Sequence, residues 1–286
     1  MDELSIPDEV VTSAHRTVEG TEWLEQLPRA ITELRRRWSL TLGPPIVAEA
    51  SCSWVSPCTR ADGSAAVLKL GMPHMEARHE IAGLRFWAGD PTVWVLEADE
   101  ALNAILLERC EPGTTLRMEP EPVQDEVIAA LLRRLWRRPP APHPFRPLAE
   151  MVTAWVDESL ANAAKWPDAG LAREGIGVFA ELLDTTAEAV LLATDLHAGN
   201  VLRAQRQPWL VIDPKPFYGD PTYDATQHLL NCDERLAANP DATIRRFADL
   251  LGVDQQRVRL WLFARLAAES HDEMEKSQAL ARAVLA

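Results

Sequence analysis

Residues 191–224 read LLATDLHAGNVLRAQRQPWLVIDPKPFYGDPTYD. Asp195, Asn200 and Asp213 stand five and 13 residues apart, and the two short apolar runs between Asn200 and Asp213 predict a hairpin. Trp209-Leu210-Val211-Ile212 is a continuous apolar run, expected of a buried strand that delivers Asp213 at its end. A carboxylate in that position needs a strong partner, and a divalent cation supplies one. Gly199 permits a tight backbone that turns Asn200 inward. A loop carboxylate, an amide and a second carboxylate gathered in this way suit phosphoryl transfer. Asp195 would accept the proton of an attacking hydroxyl, while Asn200 and Asp213 would hold Mg²⁺ against nucleotide phosphates.

Such chemistry also needs a cation on the phosphates and a group that orients it. Only four of the 29 basic residues are lysines, so the setting of each is informative. Lys69 lies in the strand-like run Ala65–Leu70, and the helix expected next carries Glu76 and Glu80. Glu80 is favoured as its partner, because Ile81, Leu84 and Trp87 would turn that helix toward the core. The turn Ala50-Ser51-Cys52-Ser53 has no GxGxxG pattern. Its small residues, Ser51 and Ser53 among them, would let backbone N–H groups approach phosphates; an ordinary tight turn is the other reading. Leu107-Glu108-Arg109-Cys110 is expected to be a hinge whose main chain at Glu108 and Cys110 meets the base. Lys215 either neutralises phosphate or faces solvent, and His197 buttresses its loop.

Residues 8–40 show apolar positions at helical spacing, with Trp23, Leu27, Ile31, Leu34 and Trp38 on one face. Short β-prone runs follow at 46–50, 53–59, 65–70, 93–96 and 104–108, with one helix over 73–87. Beyond Glu111-Pro112-Gly113 the pattern is helical at 119–138, at 148–190 with a break near Trp166-Pro167-Asp168, and at 222–232, 241–251, 254–270 and 272–285. The expected organisation is an N-terminal helical segment at 1–42 packed on a small lobe at 43–110. That lobe holds five strands and one helix; a helical lobe at 111–286 carries the catalytic and metal-binding loops. The fold class is therefore α+β and bilobal, with the small β-rich lobe first.

The formal charge of −14 argues against nucleic acid as a partner. Ten basic and 17 acidic residues precede position 111 and 19 and 26 follow, so each part carries −7 and the acidity is not concentrated in one lobe. It permits a cationic substrate without requiring one. No run approaches a membrane span and no basic-then-apolar leader opens the chain, so a cytoplasmic protein is expected. The four scattered cysteines have no common zinc spacing and read as reduced thiols.

Thr194-Asp195-Leu196-His197-Ala198-Gly199-Asn200 resembles the HGDxHxxN motif of aminoglycoside phosphotransferases. Ile212-Asp213 followed by Gly219-Asp220-Pro221 and Asp224 resembles their second signature, most closely in the streptomycin 6-kinase and hydroxyurea phosphotransferase group. The resemblance is specific over 191–224 and rests elsewhere on order and spacing. It implies a protein-kinase-like fold, ATP or alternatively GTP, Mg²⁺, and O-phosphorylation of a small hydroxylated, amino-bearing molecule. Residue by residue it implies Asp195 as base, Asn200 and Asp213 as metal ligands, and Lys69 with Glu80 on the phosphates. Ala193-Thr194 stands where the family usually has His-Gly, a pair that would brace the loop. Asp220 is expected to cap the next helix and brace the catalytic loop, and Asp224 to do similar work. Asp233, Glu234, Glu269 and Asp272 are candidate contacts to cationic groups. The competing readings are a metabolic kinase for a sugar or amino alcohol and a nucleotide-binding pseudokinase. Monomer and homodimer are both open.

Overall fold

The computed structural model describes residues 5–47, 52–269 and 273–285. The chain divides into two compact units, one of residues 1–113 with 203–210 and one of residues 114–202 with 211–286.

The first unit opens with helices α1 (Asp8–Ala14) and α2 (Val18–Arg37). The single helix expected over 8–40 is interrupted at residues 15–17, where the Thr17 hydroxyl accepts the Gly20 N–H at 3.0 Å and starts α2 afresh. Strands β1 (Thr41–Leu42), β2 (Ser53–Thr59) and β3 (Ala65–Gly71) come next. Helix α3 (Glu80–Trp87) then precedes β4 (Val95–Asp99) and β5 (Ala104–Glu108). The strands form one antiparallel sheet in the order β1-β2-β3-β5-β4. Leu27, Ile31 and Leu34 lie on one face of α2 and share a core with Trp54, Leu68, Leu70 and Leu106. Each such side chain contributes about 1.5–3 kcal/mol by leaving water.

The first strand differs from the expected 46–50. Pro44 and Pro45 have no N–H to donate, so among the described residues the ladder beyond β1 is reduced to Gly43 N–H to Pro57 O (2.7 Å) and Ile46 N–H to Val55 O (2.8 Å). Residues 48–51 lie outside the described residues. The helix expected over 73–87 is a 3₁₀ turn at Glu76–His79 followed by α3.

The second unit contains α4 (Glu121–Leu135), α5 (Leu148–Ala161) and α6 (Ala169–Asp184). Short strands β6 (Val190–Leu192), β7 (Val201–Arg203), β8 (Trp209–Val211) and β9 (Phe217–Gly219) follow, the hairpin of β7 and β8 having its outer part, 203–210, in the first unit. They pair as β6–β9 and as the β7–β8 hairpin. Helices α7 (Pro221–Leu230), α8 (Asp233–Ala238), α9 (Pro240–Leu251), α10 (Gln255–Ala268) and α11 (Met274–Leu285) complete it. The pattern-based reading missed the six-residue α8, which is too short to show a period. Val258, Trp261, Leu262, Phe263 and Ala264 make α10 apolar around most of its circumference, and it occupies the centre of the unit. Gly175 of α6 lets the two helices approach closely, since a Cβ there would lie 2.8 Å from the Ala267 Cβ.

Asp125 on α4 is 1% exposed and ties four helices together. It accepts from Arg235 of α8 at 2.7 Å on each oxygen, from Arg246 Nε of α9 at 3.0 Å, and lies 2.8 Å from His228 Nε2 of α7. Burial alone would raise this carboxyl, but the Arg235 and His228 contacts hold it well below the usual range. Cys232 stands 3.9 Å from His228 Nε2, and burial pushes its thiol up to about 11. The Asp125, His228 and Cys232 cluster has metal-ligand chemistry on paper. With two guanidinium groups filling the carboxylate's acceptor positions, it works instead as an ion-pair hub.

Removing one member of a buried ion-pair network costs about 3–5 kcal/mol, and Asp125→Ala should lose that much in urea denaturation at pH 7. Because the folded carboxyl lies below the unfolded value of about 3.9, the Asp125 contribution is complete above that pH and fades below it. The gap between wild type and Asp125→Ala should therefore narrow as the titrations are repeated toward pH 3. A gap independent of pH would contradict this account.

Candidate active site

The catalytic-loop residues belong to the second unit. Strand β6 ends at Leu192, and the chain turns through Ala193 and Thr194 into Asp195, with the Asp195 N–H donating to Ala193 O at 2.7 Å. The turn is held from beneath by Asp224 of α7. Its carboxylate accepts Ala193 N–H (3.1 Å), Thr194 N–H (2.8 Å) and the Trp136 indole N–H (3.0 Å). Burial pushes the Asp224 carboxyl up to about 6, against the pull of those three donors. Asp220 caps α7 through the Thr222 N–H at 2.9 Å and is otherwise bound by Arg257 and by the Trp261 indole at 2.8 Å. Bracing of the loop therefore falls to Asp224, and Asp220 secures α7 to α10.

Two hydrogen bonds, one from a side chain and one from the main chain, bring the second and third motif residues to the first. Asn200 Nδ2 donates to Asp195 O at 2.9 Å, so the amide oxygen is the atom of this side chain that a metal ion would meet. Ile212 N–H donates to Asn200 O at 2.9 Å, so Asp213 is the next residue beyond Asn200's partner. His197 Nδ1 accepts the Gly199 N–H at 3.1 Å and lies 3.2 Å from Arg117 Nη2, so it does buttress the loop. Gly199 is required for space: a Cβ there would lie 2.7 Å from His197 Cε1 and 2.8 Å from Arg117 Nε. Thr194 and Asp213 have φ of +48° and +51°, conformations costing about 1–3 kcal/mol for such residues and concentrated at functional sites.

The Asp195 carboxylate, whose side chain is 19% exposed, receives Lys215 Nζ at 2.6 Å on Oδ2 and Gln227 Nε2 at 2.9 Å on Oδ1. Lys215 thus turns to the carboxylate. Gln227 was absent from the sequence reading. Its signal was its place on α7 one turn after Asp224, which puts both on one helical face.

In the first unit Lys69 and Glu80 are 7% and 3% exposed, and Lys69 Nζ reaches the two carboxylate oxygens at 2.6 and 2.7 Å. Lys69 sits on a central strand, opposite Val55 on one side and Ile105 on the other. Glu76 falls in the 3₁₀ turn. Ser53 is buried at the start of β2, opposite Gly71, and Ser51 lies outside the described residues. At the hinge, the Glu108 N–H is committed to Trp94 O at 2.9 Å. The Glu108 carboxylate is committed to the Trp94 N–H and to Arg206, which also donates to Gly89 O and Thr92 O. The Glu108 amide is thus engaged by its own chain, and of the main-chain groups at this position only its carbonyl could meet a base. Cys110 is buried, and burial followed by the Glu108 charge pushes its thiol up to about 12, so any role there is a main-chain one.

The amide and carboxylate oxygens of Asn200 and Asp213 form a hard donor set of the kind Mg²⁺ takes, so the residues present fit that ion. Two of the four acidic candidates for cationic groups are already matched by their own chain. Asp233 pairs with Lys276 at 2.9 Å and Glu269 with Arg265 at 2.5 Å, both at a cavity of about 270 Å³. Glu234 lies in the first turn of α8, and Asp272 is outside the described residues.

Residues 37–275 match the family model described as aminoglycoside/hydroxyurea antibiotic resistance kinase. A streptomycin 6-kinase of Streptomyces griseus is 38% identical, over 93% of this chain and 89% of its own. A hydroxyurea phosphotransferase of Kitasatospora aureofaciens is 34% identical, over 91% and 76%. Among solved structures, a choline kinase from Streptococcus pneumoniae superposes with a TM-score of 0.66 at 11% identity, covering 91% of this chain and 99% of that one. Its complex with AMP gives 0.65 at 11%, covering 90% and 97%. At such identities this likeness speaks for the kinase-like fold.

Asp224→Ala would leave two main-chain N–H groups and an indole N–H buried without an acceptor, at about 1–3 kcal/mol each. A fall in the urea midpoint of that order is expected, together with loss of turnover. A midpoint equal to wild type would mean the loop is held by something else.

Proposed function

Because the chain belongs to the aminoglycoside/hydroxyurea antibiotic resistance kinase family, we propose that it transfers the γ-phosphoryl group of ATP to a hydroxyl of a streptomycin-type aminoglycoside and so inactivates it. The observation that carries this reading is the pair of hydrogen bonds from Asn200 to Asp195 and from Ile212 to Asn200, which brings the end of the β7–β8 hairpin, with Asp213, to the loop of Asp195 and Asn200.

In this reading Asp195 takes the proton from the acceptor hydroxyl as its oxygen attacks phosphorus. Asn200 and Asp213 hold Mg²⁺, which when bound neutralises the charge of the β- and γ-phosphate oxygens. Lys69, oriented by Glu80, meets the nucleotide phosphates, and the main chain at the start of β2, at Ser53, covers them. The segment ending at Cys110 meets the base through its main chain, with the Glu108 side chain fixing its course. GTP is the alternative donor. The acceptor is a small hydroxylated molecule bearing cationic groups. The proposed location is the cytoplasm, where ATP is supplied; among the described residues no helix is long and apolar enough to cross a membrane. Both a monomer and a homodimer are compatible with this scheme.

The reading is tested by nucleotide consumption with Mg²⁺ over a panel of aminoglycosides, peptide antibiotics, hydroxyurea and simple amino alcohols. Turnover is expected with streptomycin, and Asp195→Ala should lower kcat by about 10²–10⁴, the usual cost of a well-placed general base. Nucleotide binding with no turnover across the whole panel would leave a pseudokinase. Full activity in Asp195→Ala would remove the assignment of the base.

A further inference from the structure

We propose that Lys215 and Gln227 are positioning residues for the Asp195 carboxylate, and that Thr194 sets Lys215 in place for that task. This inference rests on the reading of Asp195 as the proton acceptor. An aspartate side chain has a broad terminal torsion, so packing alone does not decide which oxygen lone pairs face a substrate. Here each carboxylate oxygen has its own donor, Lys215 at 2.6 Å on Oδ2 and Gln227 at 2.9 Å on Oδ1. Two donors on two oxygens fix the plane of the group; one would leave it free to swing.

The donors are themselves held. The Lys215 N–H donates to Ala193 O at 2.9 Å, and Lys215 O accepts the Thr194 hydroxyl at 2.6 Å. Ala193, Thr194 and Asp195 are consecutive, so the side chain of Lys215 returns to the loop on which its own main chain is anchored. Gln227 projects from α7, and that helix carries Asp224, the acceptor of the Ala193 and Thr194 N–H groups. Both donors are therefore referenced to the same three-residue turn as the carboxylate they hold.

Thr194 is the informative element. It is a β-branched residue at φ +48°, a region where glycine would be relaxed and threonine is strained. Glycine is what the family resemblance leads one to expect at this position. Retaining threonine there makes sense through its hydroxyl, the group that ties the turn to Lys215. The departure at Ala193-Thr194 and the presence of Lys215 are thus two parts of one arrangement.

The test is steady-state kinetics with ATP and streptomycin, or with whichever acceptor of the panel turns over fastest, alongside ATP binding by equilibrium dialysis and thermal melting by circular dichroism. Lys215→Met and Gln227→Leu should each lower kcat about 10²-fold, the scale of a 1 Å misplacement of a reacting group. Acceptor KM and ATP Kd should stay within about threefold, since uniform binding is untouched. Lys215→Arg should recover most of the lost kcat. Thr194→Val should lose activity while Thr194→Ser retains it. Wild-type kcat in both Lys215→Met and Gln227→Leu would overturn the inference. So would a Lys215→Met enzyme with normal kcat and weakened ATP binding, because that lysine would then serve the phosphates. Should Lys215→Met fail to fold, the contrast between Thr194→Val and Thr194→Ser and the kcat of Gln227→Leu decide alone. Asp195→Ala separates the two levels. If it is inactive while the clamp variants work normally, only this inference falls. If it is active, the reading beneath it falls as well.

Discussion

The catalytic loop depends on one buried carboxylate. Asp224 is 1% exposed and takes three N–H donors, two of them from consecutive main-chain amides of the turn before Asp195. Those amides point inward because Ala193 and Thr194 leave the line of β6, and a buried amide without an acceptor is costly. The carboxylate supplies the acceptor from a helix, so the turn inherits the rigidity of α7. Without it, Thr194 would have little reason to stay at positive φ, and Asp195, Asn200 and Asp213 would lose their shared reference. Asp220 completes the support by joining the start of α7 to Arg257 and Trp261 of α10.

Buried charge is used in two ways in this chain. Around Asp125 it is closed: two arginines and a histidine fill the carboxylate, and the cluster joins α4, α7, α8 and α9. Around Lys69 and Asp195 the charged groups are also paired, but with partners suited to a second task. A carboxylate held by one donor on each oxygen still offers lone pairs to an incoming hydroxyl. The Lys69 ammonium rests on both oxygens of the buried Glu80 carboxylate, at 2.6 and 2.7 Å.

The opening motif was legible because its chemistry is tied to spacing. Asp195, Asn200 and Asp213 are set by a loop and a hairpin, both local features, and β7 and β8 occupy the two runs that predicted them. The pairing of Lys69 with Glu80 was legible from a lysine on a strand followed by a helix whose apolar face fixes its rotation. The choice of Asp224 over Asp220 as the loop's brace was not, since both lie at the start of one helix. Only the tertiary approach of β6 decides which carboxylate meets the loop. Gln227 escaped notice for a similar reason, because a polar residue on a helix usually faces water. The broken first strand was written in Pro44 and Pro45, whose missing N–H groups outweigh the β-prone residues after them. At Glu108 the hinge was read by position, while the use of its amide depends on how far Trp94 extends the β4–β5 ladder.

The scarcity of lysine follows the same division of labour. Arginine presents a rigid fork that grips a carboxylate on two sides, and the structural pairs at Asp125, Glu108, Asp220 and Glu269 all use it. Lysine is a compact charge on a flexible stem whose three donors can be redistributed as partners change. Of the four lysines, Lys69 and Lys215 face carboxylates of the proposed phosphotransfer site, while Lys276 makes an exposed pair with Asp233. A guanidinium at position 69 would bring more donors than one buried carboxylate can accept. The buried and half-buried structural pairs of this chain thus use arginine, while lysine stands beside Glu80 and Asp195.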